Sequence, residues 1–255
     1  MDDKHFINEN TVTTFCNTNE ALLTKPVSGI VLEFPGLGGG SCLGGRMDFM
    51  SYDTSFTRQF AEAGLVVAYT FVGPWSWMNR GAVRIADLIV DALREKYRLP
   101  EDSPLVATGG SMGGLGALIY TASSRHKVTA CAAACPCCDL YKATLDGAKH
   151  RPRTILSAYA AYEMPLEEAI KSGSPRHRLN DMPSIPYFIV CDEADRFFDP
   201  DEMEEYVNDL RKAVSSEVLF RRLPGKPHGA FTPEVRKELN DFVIRCAKDV
   251  RGRSI

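Results

Sequence analysis

The sequence predicts an α/β fold in which helices cover both faces of a mostly parallel, doubly wound sheet. Three observations carry that expectation. Short apolar, β-branched runs alternate with segments whose apolar residues recur at helical spacing. Glycine-rich turns join strand to helix at Pro35 to Gly40 and at Gly109 to Gly114. A length of 255 residues, 44% hydrophobic and 25% charged, suits one domain over residues 1–255 with a sizeable core and room for an insertion.

Taken in order, Asn10 to Asn17 alternates loosely and reads as an edge strand, and Ser28 to Phe34 as an apolar one. Phe56, Phe60 and Ala63 mark an amphipathic helix ended by Gly64, followed by a strand over Leu65 to Phe71. The loop Gly73 to Asn79 holds both tryptophans, Trp75 and Trp77, which fit either the rim of a pocket or packing beneath the loop. Ala82, Ile85, Ala86, Ile89, Ala92 and Leu93 form a core-facing helical stripe that stops near Leu99-Pro100. Pro104 to Thr108 reads as a buried strand, and Leu115, Leu118, Ile119 and Ala122 as the helix after it.

Beyond a small-residue strand at Val128 to Cys135, the rhythm lapses over 139–183. That stretch reads as an insertion, a small helical cap. Its basic residues (Lys149, His150, Arg151, Arg153, Arg176, His177, Arg178) suit a solvated face, or an anionic substrate. Tyr187 to Cys191 resumes the sheet, Met203, Tyr206, Val207 and Leu210 mark a helix, and Val218 to Leu223 is the last strand. Val235, Leu239, Phe242, Val243 and Cys246 close the chain as a helix.

Composition excludes several classes. A net charge of −3 gives no basic excess for nucleic acid, and no apolar run approaches the ~18 residues of a membrane span. The polar start lacks the apolar segment of a secretory signal, so a cytoplasmic protein is expected. Of eight cysteines, four fall between Cys131 and Cys138. No second, separated Cys/His pair accompanies them, so they read as reduced, small core residues, and neither metal nor cofactor is expected.

The chemistry converges on Gly109-Gly110-Ser111-Met112-Gly113-Gly114. A Gly-x-Ser-x-Gly turn between a strand and a helix projects the serine hydroxyl above the sheet, and the residues two before and two after it pass too close for a Cβ. Serine is a poor nucleophile at its free pKa, so it needs an imidazole base, which in turn needs an orienting carboxylate. His228, between Pro227 and Gly229 before the last helix, is the best placed of five histidines. Asp192, Glu193, Asp195 and Asp199 compete for the acid. Asp195 sits far enough beyond its strand to turn toward His228, whereas Asp199 before Pro200 suits a helix N-cap.

Over nearly its whole length the chain resembles the α/β-hydrolase superfamily, and within it the prolyl-oligopeptidase-type serine hydrolases and related esterases. The residues that carry the resemblance are Pro35-Gly36-Leu37-Gly38, the Gly109 to Gly114 motif, the run from Ser174-Pro175 to Pro186, Asp195, and His228-Gly229. The resemblance implies Ser111 as nucleophile, His228 as base, Asp195 as acid, and the N–H groups of Met112 and Leu37 as an oxyanion hole. Gly38 is a competing donor, because Pro35-Gly36 stands where the family has His-Gly, and Asp192 stands where it has glycine. Gly38, Trp75 and Trp77 are the expected substrate-binding residues. The expected activity is hydrolysis of a small-molecule carboxylic ester through an acyl-enzyme. The alternatives are a peptidase or amidase acting on short peptides with the same triad, or a non-catalytic ligand-binding member. The propeller of the oligopeptidases has no counterpart in these residues, which favours the ester.

Overall fold

The computed structural model describes residues 3–38, 52–146 and 150–249. Seven strands form one sheet: β1 (Cys16–Thr18), β2 (Gly29–Phe34), β3 (Leu65–Thr70), β4 (Leu105–Gly110), β5 (Ala130–Ala134), β6 (Tyr187–Asp192) and β7 (Val218–Leu223). Their spatial order is β1-β3-β2-β4-β5-β6-β7. Only β1, at the edge, runs antiparallel; β2 to β7 pair in parallel. The strand expected over Asn10 to Asn17 is a 3-10 turn at Val12–Thr14 followed by β1, so only its end joins the sheet.

Helices α1 (Ser55–Glu62), α2 (Arg80–Tyr97), α3 (Met112–Ser123), α7 (Pro200–Ala213) and α8 (Pro233–Asp249) connect or follow the strands. Strand side chains alternate between two buried clusters. Ile30, Leu32, Ala68, Leu105 and Ala107 pack with α2, α3 and α7. Val31, Val67, Val106, Phe188 and Val190 pack with α1 and α8. Burial on both faces explains why these strands read as unbroken apolar runs. Between β5 and β6 lie α4 (Leu140–Leu145), α5 (His150–Tyr159), α6 (Leu166–Ser172) and a 3-10 segment (Pro175–Asp181). No described helix is long and apolar enough to cross a membrane.

The chain after β2 leads to α1 on one face, and the chain after β4 leads to α3 on the other. Phe34, the last residue of β2, sits opposite Gly109 of β4. The two connections therefore diverge at the carboxyl ends of neighbouring strands, the crevice where such sheets bind ligands.

Candidate active site

Ser111 stands at that crevice. It is the N-cap of α3 with φ 59° and ψ −123°, a left-handed conformation that costs a non-glycine residue strain. Its own N–H donates to Ala134 O at 2.8 Å, tying it to the end of β5. The strand-to-helix turn is tight enough to dictate glycine at two positions. A Cβ at Gly109 would meet Gly113 O at 2.4 Å, and one at Gly113 would meet Phe34 O at 2.0 Å. Met112 opens the helix, so its N–H lacks an intrahelical acceptor and carries the positive end of the helix dipole.

The loop after β2 approaches from the other side of the crevice. Gly38 N–H donates to Pro74 O at 2.8 Å, which occupies that donor. Gly38 also adopts φ 82°, the left-handed region glycine permits. Leu37 is half-buried against the core, and its N–H has no acceptor among the described residues. Gly39, Gly40 and Lys149, to which sequence expectations extended, lie outside the described residues.

His228 and Asp195 meet across the loops that follow β7 and β6. Nδ1 of His228 lies 2.6 Å from Asp195 Oδ2, and the Asp195 side chain is fully buried. Its second oxygen accepts the N–H groups of Phe197 at 2.7 Å and Phe198 at 3.2 Å, which fixes the carboxylate plane. The rings of both phenylalanines also flank the imidazole, with centroids at 5.0 Å and 5.6 Å. A carboxylate so placed holds one tautomer of the imidazole and offsets the charge the ring gains on protonation. Among the described residues Ser111 Oγ and His228 share no hydrogen bond; such contacts are often long without substrate.

The other acidic residues have different partners. Asp192 is fully buried, and its Oδ2 accepts Gly229 N–H at 2.7 Å and the Cys135 thiol at 3.0 Å. Burial, and Asp192 beside it, push the Cys135 thiol well above its ordinary value. Asp199 caps α7, accepting Asp201 N–H at 2.9 Å. Sequence reasoning missed Phe197, Phe198 and Cys135. An aspartate bonding backbone two and three residues on is a local turn signal that pointed to the first two. Cys135 meets Asp192 across 57 residues and left no signal.

The tryptophan loop divides. Trp75 is 48% exposed, and its neighbour Pro74 supports Gly38. Trp77 is 1% exposed, donates Nε1–H to Thr154 Oγ1 at 3.0 Å, and belongs to the core. The expectation that it binds substrate is corrected on that ground: the side chain packs beneath α5, the alternative the loop's sequence also allowed. The described basic residues of the insertion divide: His150, Arg153 and His177 are exposed, as a solvated face requires, whereas Arg151, Arg176 and Arg178 are paired. Arg151 is buried, pairs with Asp146 at 2.5 Å and donates to Phe197 O, while Arg176 pairs with Asp209 and Arg178 with Asp181.

Two cavities flank the site. One of about 410 Å³ lies between the Asp195 loop and α4, lined by Asp195, Phe197, Phe198, Arg151 and Lys142. One of about 770 Å³ reaches Gly109, Gly110, Ala134 and Gly229 from the α8 side and contains Glu33, Tyr52 and Phe231.

The model of the prolyl oligopeptidase family matches residues 76–250. No curated protein sequence matches significantly. Among solved structures the fold is similar to esterase B from Lactobacillus rhamnosis, with TM-score 0.67, 14% identity, and 91% of this chain covering 78% of that one. It is also similar to a puromycin hydrolase, with TM-score 0.68, 16% identity, and 90% of this chain covering 35% of that one. A dipeptidyl peptidase 4 from Porphyromonas gingivalis matches with TM-score 0.62, 16% identity, and 88% of this chain covering 31% of that one. This chain thus spans about a third of the length of the latter two.

Proposed function

Because the chain belongs to the prolyl oligopeptidase family, within the α/β-hydrolase superfamily of serine hydrolases, we propose that it hydrolyses a small carboxylic ester through an acyl-enzyme on Ser111. The carrying observation is the His228–Asp195 contact, made by two loops at the end of the sheet where Ser111 projects. In this reading His228 takes the proton from Ser111 as the hydroxyl attacks the ester carbonyl. Asp195, held by two backbone N–H groups, keeps the imidazole oriented and stabilises its charge. The carbonyl oxygen becomes an oxyanion stabilised by Met112 N–H at the helix terminus and by Leu37 N–H, since Gly38 N–H is already bonded. His228 then protonates the departing alcohol, and water repeats the sequence to release the acid. The helical segment between β5 and β6 acts as a cap beside the site. Trp75 forms part of the rim.

An ester is preferred over a peptide because the esterase B likeness extends over 78% of that chain, against about a third for the peptidase. The test is turnover of an ester and an amide with the same acyl group. The ester should be hydrolysed far faster, and neither should be hydrolysed by Ser111→Ala. Faster turnover of the amide would make the protein a peptidase or amidase with the same machinery.

A further inference from the structure

We propose that Cys135, Asp195 and His228 form a binding site for one zinc ion, and that the ion and the hydrolytic reaction exclude each other. A thiol sulfur, a carboxylate oxygen and an imidazole nitrogen from these residues all lie within 4.8 Å of one another. Zinc bonds of about 2.0–2.3 Å place two ligands of a common ion roughly 3–4 Å apart, so the cluster has only a small contraction to make. The three residues follow β5, β6 and β7, so their sequence spacing conceals the group. It is the one cluster of its kind among the described residues.

The surroundings add two further observations. Cys135 is a non-glycine residue at φ 44°, held there by its N–H bond to Val190 O at 2.7 Å. In that conformation the thiol lies within 4.8 Å of ligand atoms of Asp195 and His228. Behind it, Asp192 accepts the thiol proton at 3.0 Å with one oxygen, while its other oxygen, Oδ1, is buried without a partner among the described residues. A buried carboxylate oxygen left unpaired is costly, and a nearby cation offsets the cost. The mixed sulfur, nitrogen and oxygen donors suit zinc, not magnesium or calcium, which take oxygen.

The binding step balances. The thiol loses its proton to Asp192 or water and becomes a thiolate bonded to the metal. His228 contributes a neutral nitrogen lone pair and Asp195 a carboxylate oxygen, so two negative ligands match the 2+ ion. The fourth position remains for water. A metal on Nε2 blocks the base outright; a metal on Nδ1 forces the proton to Nε2, which then cannot accept one. Inhibition therefore rests on the function proposed above, whereas ion binding does not.

The test uses purified full-length protein, stripped with EDTA and desalted, titrated with Zn²⁺ against a chromogenic chelator. Wild type should bind one equivalent, and Cys135→Ser, Cys135→Ala and His228→Ala should each bind at least tenfold more weakly while keeping their circular dichroism. Mg²⁺ and Ca²⁺ should not compete. In parallel, Zn²⁺ should lower hydrolysis of an aryl acetate at least tenfold, EDTA should restore it, and Cys135→Ser should resist relative to its own metal-free rate. Equal zinc affinity in wild type and Cys135→Ser, or no bound equivalent, overturns the proposal. A protein that binds zinc in this pattern yet hydrolyses no ester and takes no fluorophosphonate leaves the site standing and overturns the hydrolase reading.

Discussion

Asp195 and Asp192 lie three residues apart and both face the His228 loop, yet their bonds assign them different work. Asp195 touches the imidazole and is oriented by Phe197 and Phe198, whereas Asp192 reaches only the backbone of Gly229 and the Cys135 thiol. Asp195→Asn should therefore lower kcat about 10⁴-fold with little loss of stability, because the amide favours the wrong imidazole tautomer. Asp199→Ala should leave kcat unchanged and cost about 1 kcal/mol by removing a helix cap. Steady-state kinetics and thermal unfolding of both variants check the pair. Glu33 offers a separate reading by pH. Its burial raises its pKa from 4.5 to about 7, although the Tyr52 hydroxyl donating to it opposes the shift. The folded state thus holds that proton more tightly than the unfolded state does. Its contribution to stability is complete below about pH 4.5 and is lost as pH rises toward 7. Glu33→Gln should flatten the fall in Tm between pH 5 and 7.5; an unchanged slope would count against the burial.

At the scale of elements, the strand–turn–helix unit around Ser111 makes a graded steric claim. Gly113→Ala drives a methyl group into Phe34 O and should destabilise by more than the 1–3 kcal/mol usual for overpacking, with activity lost. Gly110→Ala meets nothing closer than Ala134 O at 3.7 Å and should fold normally. Comparable unfolding midpoints for the two variants would contradict the geometry of the turn. The Gly73 to Asn79 loop gives a second contrast. Trp77→Ala should cost about 3–5 kcal/mol, as for other large core aromatics, while relative rates across an ester series stay the same. Trp75→Ala should shift those relative rates with little change in Tm. The reverse pattern would return Trp77 to the pocket. These elements also show what a sequence discloses. Val218–Leu223 was legible to the residue, and the elbow was legible because glycine at 109 and 113 has a steric cause. Depth was not legible. A Pro/Gly loop looks exposed whether its tryptophan points out, like Trp75, or inward to Thr154, like Trp77.

For the whole molecule, parallel pairing of β2 to β7 brings residues 37, 111, 195 and 228 to the carboxyl-terminal end of the sheet, although they span most of the chain. That convergence follows from alternating strands and helices, so the order of Ser111, Asp195 and His228 could be read before any contact was known. Groupings closed by three loops at once, such as Cys135 within 4.8 Å of Asp195 and His228, depend on backbone detail that no local pattern encodes. The same convergence supports the proposed nucleophile, which covalent labelling addresses most directly. After reaction with a fluorophosphonate, intact mass and peptide mapping should show one adduct per chain, on the peptide containing Ser111 and absent from Ser111→Ala. No adduct on folded wild-type protein, or an equal adduct on Ser111→Ala, would contradict a serine hydrolase working through Ser111.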